Sequence, residues 1–431
     1  MAEVQAFRAY RYDLGRAGPL SDLVAPPYDV IDPALQDALY RRSPYNVVRL
    51  ILNKETLADS EASNRYTRAA QTLRDWQREG ILVQDSARAL YVYHQEFEVE
   101  GQRFTRRGYM ARVRLERFGA GRIYPHEQTM SGPKEDRLKL TRATAMNLSQ
   151  VFGLYPDEQG AVQEQLDSAV RRALPLEATD HLGVVSRLWP LTDHRTVSAI
   201  TGLMGPKPIF IADGHHRYET ALRYLDERRQ AGDVSGPDAP ANFVLMMLVS
   251  MQDPGLQILP THRLVSGMGE IRGERLHTLL GGHFDVEKVG SGEKGARDAW
   301  ELLASGDGQD VLAFGTAADG QWHIARFCSP RLMTELAAEH SAAWRGLAVS
   351  ILHVAVLGKL LPAGDCRYVH LLPEVIDAVA ARQCELAVFV PPADMSHVEQ
   401  IAGNLEKMPP KSTYFYPKLL SGLLFHSLRG N

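Results

Sequence analysis

The sequence predicts an α+β fold, and three observations carry that reading. Strand and helix signals follow one another in mixed order, not in regular strand–helix repeats. A hairpin is written plainly at "ALYVYHQEFEV" (89–99) and "QRFTRRGYMARVRLE" (102–116), two runs joined at Glu100-Gly101. Several helices carry one apolar face, as in "SNRYTRAAQTLRDWQREG" (63–80), where Tyr66, Ala69, Ala70, Leu73 and Trp76 line up and Gly80 ends the run.

The elements follow in order. "VAPPYDVID" (24–32) holds two prolines that force extended backbone ahead of Tyr28 and Asp29. After the hairpin, "IYPHEQTMSGPKEDRLKLTRATAMNLSQVFGLY" (123–155) begins as a polar loop and continues as helix, then strand. Residues 160–200 hold a helix and short strands. "IFIADGHHRYETAL" (209–222) is an apolar run meeting a helix that reaches about Arg229. "GDVSGPDAPAN" (232–242) is a loop, "FVLMMLVS" (243–250) a buried strand, and "LQILPTHRLV" (256–265) another. Beyond 268, helix and strand signals alternate, with a hairpin at "VLAFGTAADGQWHIARF", helices at 330–340 and 343–360, and a tail, "PPKSTYFYPKLLSGLLFHSL" (409–428), of loop and strand. There is no internal repeat.

Bulk properties narrow the function classes. At 431 residues, 45% hydrophobic and 23% charged, the chain has enough material for two or three packed domains. Its net charge of -4 gives no electrostatic reason to expect nucleic acid or a membrane surface as partner. No stretch approaches the roughly 18 apolar residues of a membrane span, and "MAEVQAFRAY" has no apolar leader core. Three cysteines without metal-type spacing fit a reducing, cytoplasmic setting.

The chemistry concentrates at Asp213-Gly214-His215-His216-Arg217. A helix begins there, because Tyr218, Ala221, Leu222 and Leu225 share one face. Unpaired N–H groups and the dipole favour an anion at a helix start. Gly214 admits close approach, and two imidazoles and a guanidinium add donors for phosphate oxygens. Asp213 fits a Mg²⁺ that bridges to phosphate. Plainer alternatives are a capping Asp213 with solvated histidines, or a transition metal on His215, His216 and Glu219.

"IADGHHRYETAL" resembles the signature of domain-of-unknown-function family 1015. "VAPPYDVI", "NVVRL", "PHEQTMSGPKEDRLKL", "ILPTHRLV" and "PPKSTYFYPKLLSGLL" look like that family's other blocks. The turn is similar to that of the free-serine kinases of the ParB/sulfiredoxin superfamily. The resemblance implies a nucleotide-binding core in which Gly214, His215, His216 and Arg217 hold phosphates and an earlier carboxylate acts as base.

Other polar blocks supply candidates. His126, Glu127, Lys134, Asp136 and Arg137 fall in what reads as a Gly/Pro-broken loop, with Glu127 a base and Arg137 a phosphate clamp. Asp29 is a second base candidate. His262 and Arg263 sit at a strand interruption, and the terminal block offers Lys411, Ser412, Thr413 and Lys418, of which Lys411 is taken as a phosphate ligand. The expected organisation is a ParB/sulfiredoxin-like core (1–265), a smaller α/β region (266–408) and a segment (409–431) returning to the core. The expected function is a phosphotransferase moving a phosphoryl group from ADP, ATP or pyrophosphate to a small hydroxyl compound such as serine. Asp213 would anchor Mg²⁺, and Glu127, Asp29 and His216 would be catalytic. Rival readings are a nucleotide or phosphometabolite sensor that does not turn over, a metal-dependent hydrolase, and a ParB-like DNA switch. The acidic balance opposes the last.

Overall fold

The computed structural model describes residues 2–127, 131–306, 308–361 and 364–430. Residues 128–130 of the "HEQTMSGP" block lie outside them. Contacts divide the chain into two units. One comprises Met1–Pro125, Thr129–Gln257 and Pro417–Asn431, the other His126–Gln128 and Ile258–Tyr416. The division falls after Gln257, ahead of the boundary at 265 read from sequence, so "THRLV" belongs to the second unit. Residues 417–431 join the first.

The first unit is built on a nine-stranded mixed sheet. Its path runs Ile123–Pro125, Ile209–Asp213, Val151–Tyr155, Phe243–Ser250, Gln102–Arg114, Leu90–Val99, Val185–Leu191 and Leu176–Thr179, with Val4–Gln5 added beside Gln102–Arg114. Phe243–Ser250 is buried at every position, as a central strand with both faces covered must be. The hairpin turns at Glu100 and Gly101, both at positive φ (50° and 79°). Arg65–Arg78 is the amphipathic helix, closed by a capping box at Asn64 and Thr67. Two of the longer helices went unread in the sequence: Pro33–Arg42, capped by Asp32, and His194–Met204, capped by Asp193.

The loop expected around Lys134–Arg137 is a helix, Ser131–Thr144. Glycine and proline near its start mislead, because a proline in the first turn costs no intrahelical hydrogen bond. This helix packs against His215–Gln230.

The second unit holds a six-stranded sheet ordered Phe284–Ser291, Gln321–Phe327, Val311–Thr316, Leu386–Phe389, His262–Ser266 and Asp365–Val369. Every ladder in it is antiparallel, which corrects the α/β reading of this region. Alternating helix and strand signals mimic parallel units, but the strands pair through hairpins and returns. The apolar stretch 343–360 forms short helices and then a π-helix, Ile351–Leu360. No helix among the described residues is long and apolar enough to cross a membrane.

His262 lies inside this unit, its ring 5.0 Å from that of Trp300 and 4.9 Å from that of Phe389. Burial, with Arg263 adjacent, pushes its pKa down to about 3. Burial likewise holds His353 down to about 4. Unfolded histidines titrate near 6.5, so below that pH the unfolded chain takes up protons that the folded one refuses. Stability is therefore full above about pH 6.5 and declines as the pH falls toward the folded values. Urea denaturation at about pH 7 and about pH 4.5 should show His262 alone costing roughly 2–3 kcal/mol at the lower pH. His262→Phe should give a shallower pH slope, and an unchanged slope would remove His262 as its source.

Candidate functional site

Strand Ile209–Asp213 is buried through Ala212 and brings Asp213 to the surface of the core. Its register against Val151–Tyr155 shifts between Ile211 and Asp213, a bulge that re-aims the carboxylate. Gly214 follows at φ 86°, a left-handed conformation that favours glycine. A Cβ there would stand 2.9 Å from the Arg217 guanidinium. The missing side chain lets Arg217, one turn into helix His215–Gln230, fold back over the turn.

Asp213 is held by two cations. Its Oδ1 accepts from Lys418 Nζ at 2.8 Å and its Oδ2 from Arg217 Nη2 at 2.6 Å. Burial by itself raises a carboxyl pKa. Lys418 and Arg217, with His215 nearby, more than reverse this and hold Asp213 well below the usual carboxylate range. Arg217 also donates through Nη1 to the Gln150 carbonyl. Behind this group lies the fully buried Arg106, which donates to the carbonyl of Pro417 at 2.5 Å and to Gln95 Oε1. Burial lowers its pKa to about 10, so it remains cationic at neutral pH. Two cations thus flank one carboxylate, and a third, Arg106, is bonded to the residue that precedes Lys418.

Arg217 continues into a cavity of about 50 Å³, shared with Tyr28, Arg137, Met146, Ser149 and Thr220. At roughly 10–15 Å³ per water, the space suits a phosphoryl group or the end of a small metabolite, not a whole nucleotide. Arg137 is fixed by Asp136 (Nε to Oδ2, 2.7 Å) and by the Ile51 carbonyl (Nη1, 2.7 Å), with its guanidinium 3.9 Å from the Tyr28 ring centre. Burial opposes ionisation of Asp136, but Arg137, Tyr66 and Arg65 prevail and lower its pKa. Burial pushes Tyr28 up to about 12, leaving its hydroxyl protonated.

The first unit gathers Asp213, Gly214, His215, His216, Arg217 and Arg137, with Asp29 exposed beside Tyr28. Lys134, Asp136 and Lys418 also belong to the first unit, whereas His126, Glu127, His262, Arg263, Lys411, Ser412 and Thr413 belong to the second. Glu127 Oε1 accepts from the Lys411 backbone N–H, and buried His126 lies 2.8 Å from Thr413 Oγ1. Arg263 is buried, donating to the carbonyls of Thr261 and Lys411 and lying 3.2 Å from His353 Nε2. His262 is the core residue described above.

Two expectations about Asp213 change. It does not cap the helix, because both oxygens face side-chain cations. With Lys418 and Arg217 already compensating its single charge, the residues present do not fit a resident Mg²⁺ at this turn. Nor do His215, His216 and Glu219 converge as metal ligands, since no group of three His, Cys, Asp or Glu side chains does so among the described residues, and Glu219 pairs with Lys134 at 3.0 Å. The sequence reading favoured Lys411 over Lys418 and passed over Arg106. Lys418 follows Pro417 and precedes a buried apolar run, a signal that it is anchored; Arg106 sits in a strand between exposed Arg103 and half-buried Arg107 and carries none.

The chain belongs to the family of proteins of unknown function DUF1015, whose model matches residues 4–350. Comparison with curated proteins finds no match. Among solved structures, the chain is similar to a free serine kinase in complex with AMP, at 11% identity and TM-score 0.33, over 68% of this chain and 83% of that one. It is also similar to SbnI with C-terminal truncation from Staphylococcus aureus, at 10% identity and TM-score 0.36, over 73% and 86%. A conserved hypothetical protein from Pyrococcus furiosus aligns at 12% identity and TM-score 0.32, over 69% and 90%.

Removing the central charge leaves two buried cations facing each other, and breaking a buried pair costs about 3–5 kcal/mol. Asp213→Asn should therefore lower the melting temperature by several degrees. Asp213→Asn/Lys418→Met should be less destabilised than the sum of its single variants, which thermal melting of all four proteins measures. Strict additivity would show that the pair does not couple.

Proposed function

We propose that the Asp213–Arg217 turn and the adjoining cavity bind a phosphate-bearing substrate. The chemistry we assign is phosphoryl transfer from ADP, ATP or pyrophosphate to a small hydroxyl compound such as serine. The observation that carries this reading is the pairing of Arg217 and Lys418 with one carboxylate at a glycine turn that opens a helix, with buried Arg106 on the neighbouring Pro417 carbonyl. An excess of fixed positive charge beside a helix N-terminus offers preorganised stabilisation to phosphate oxygens. On this reading Asp213 positions Arg217 and Lys418. Gly214, His215, His216 and Arg217 receive phosphate oxygens, and Arg137 and Tyr28 hold the group in the cavity.

In the reaction, the acceptor hydroxyl oxygen attacks the terminal phosphorus and forms the new O–P bond. The bond from phosphorus to the bridging oxygen breaks, releasing AMP, ADP or phosphate according to donor. The proton passes to a carboxylate. We assign this role to Asp29, which lies beside a cavity-lining residue, in preference to Glu127, which is bonded to Lys411 in the second unit. A ParB/sulfiredoxin-like core remains part of the proposal. The hydrolase reading loses its metal ligands, as described above.

The test is a thermal-shift series with pyrophosphate, AMP, ADP and ATP, with and without Mg²⁺, followed by mass spectrometry of reactions containing serine and other small alcohols. Stabilisation with a phosphorylated product is expected. Stabilisation without product would favour the sensor reading, and no stabilisation by any of these ligands would remove the phosphate site. Arg217→Lys should weaken binding about tenfold, because lysine keeps the charge but loses the two-pronged donor geometry. Equal titration midpoints for Arg217→Lys and wild type would take Arg217 out of the site.

A further inference from the structure

A second recess in the first unit, of about 340 Å³, is lined by Arg8, Arg88, Arg112, Arg429 and His426, with Asp238 the one carboxylate among its described lining residues. Arg112 is buried. Its guanidinium donates to Gln5 Oε1 at 2.9 Å through Nε and lies 4.1 Å from the Phe243 ring centre. Neither partner carries charge. Among the described residues the Arg88 guanidinium donates no hydrogen bond and pairs with no carboxylate, and its charge adds to burial in lowering the Arg112 pKa. Asp238 is shared with Arg114 at 3.9 Å and with Gln5 Nε2 at 3.4 Å. His426, buried and held down to about 4 by burial and by Arg112, is neutral at physiological pH. Like charges gathered around a hollow repel one another, and a multiply charged anion reverses that cost.

We propose that this recess is a second anion site, taking a small molecule with at least two negative charges on phosphate or carboxylate groups. It is separate from the cavity at Arg217. The two share a ladder: His426 and Ser427, in the wall of the recess, pair with Asn147 and Met146, in the wall of the cavity. The volume suits a compact metabolite, and arginine forks suit either kind of oxyanion.

Isothermal titration calorimetry with pyrophosphate and with citrate tests the site and separates the two chemistries. Arg88→Ser/Arg429→Ser is the principal variant, because both residues are exposed and the change leaves Arg112 and its packing in place. Wild type is expected to bind at least one probe, with one binding event weakened at least tenfold in the double variant and retained in Arg217→Lys. Asp238→Asn should tighten the same event, a gain that misfolding cannot imitate. Loss of a pyrophosphate event assigns phosphate, and loss of a citrate event assigns carboxylate. Wild-type binding of both probes by the double variant would overturn the proposal, as would binding of neither probe by wild type. Failure of the Arg217 site alone would leave the recess event intact.

Discussion

The first unit is organised around one carboxylate that neutralises two cations from distant parts of the chain. Asp213 ends a buried strand, Arg217 lies one helical turn later, and Lys418 is 205 residues away in sequence. None of the three side chains is more than 20% exposed. Charges this far from water are costly without partners. The triple therefore fixes where the terminal segment runs and which way the turn faces.

Hydrogen bonds around it extend that constraint. Arg106 grips the Pro417 carbonyl, Gln150 donates to Leu420 O at 3.0 Å, and Ser149 and Ser421 meet at 2.6 Å. Ser421 also exchanges backbone bonds with Ala25, at the start of the Pro-Pro-Tyr-Asp loop. Four segments that are remote in sequence thus share one frame: the loop at 25–28, the strand and helix around Asp213, the stretch 146–150, and the terminal segment. The cavity between Arg137 and Arg217 is enclosed by that frame. Its polar groups are aimed by packing and hydrogen bonds, which is the condition for preorganised charge stabilisation.

The same frame separates two kinds of arginine. Arg137 and Arg217 are matched to carboxylates, Asp136 and Asp213, so their directions are set by ion pairs. Among the described residues Arg112 is matched only to an amide oxygen and an aromatic face. A guanidinium whose partners are uncharged keeps its capacity for an anion, and that distinguishes the recess at Arg88 and Arg429 from an ordinary salt-bridged surface.

Sequence by itself determined the α+β class, the hairpin, the helix within 63–80 and the strand–glycine–helix turn, because each is written in local periodicity or turn chemistry, while the family was legible through the resemblance of its motif blocks. It also marked Asp213, Gly214 and Arg217 as a group, since they are neighbours in the chain. Only the tertiary structure decided which remote residues join them. Lys418 rather than Lys411 meets Asp213, Arg106 is a buried cation rather than one of a row of surface arginines, and His262 is packed between aromatic rings. The helix holding Arg137 was hidden by glycine and proline in its first turn. The antiparallel order of the second sheet was hidden because alternating helix and strand signals do not specify which strands pair. Periodicity reports which face of an element is buried. It carries no record of what that face is buried against, and ion pairs, cavities and sheet order depend on that.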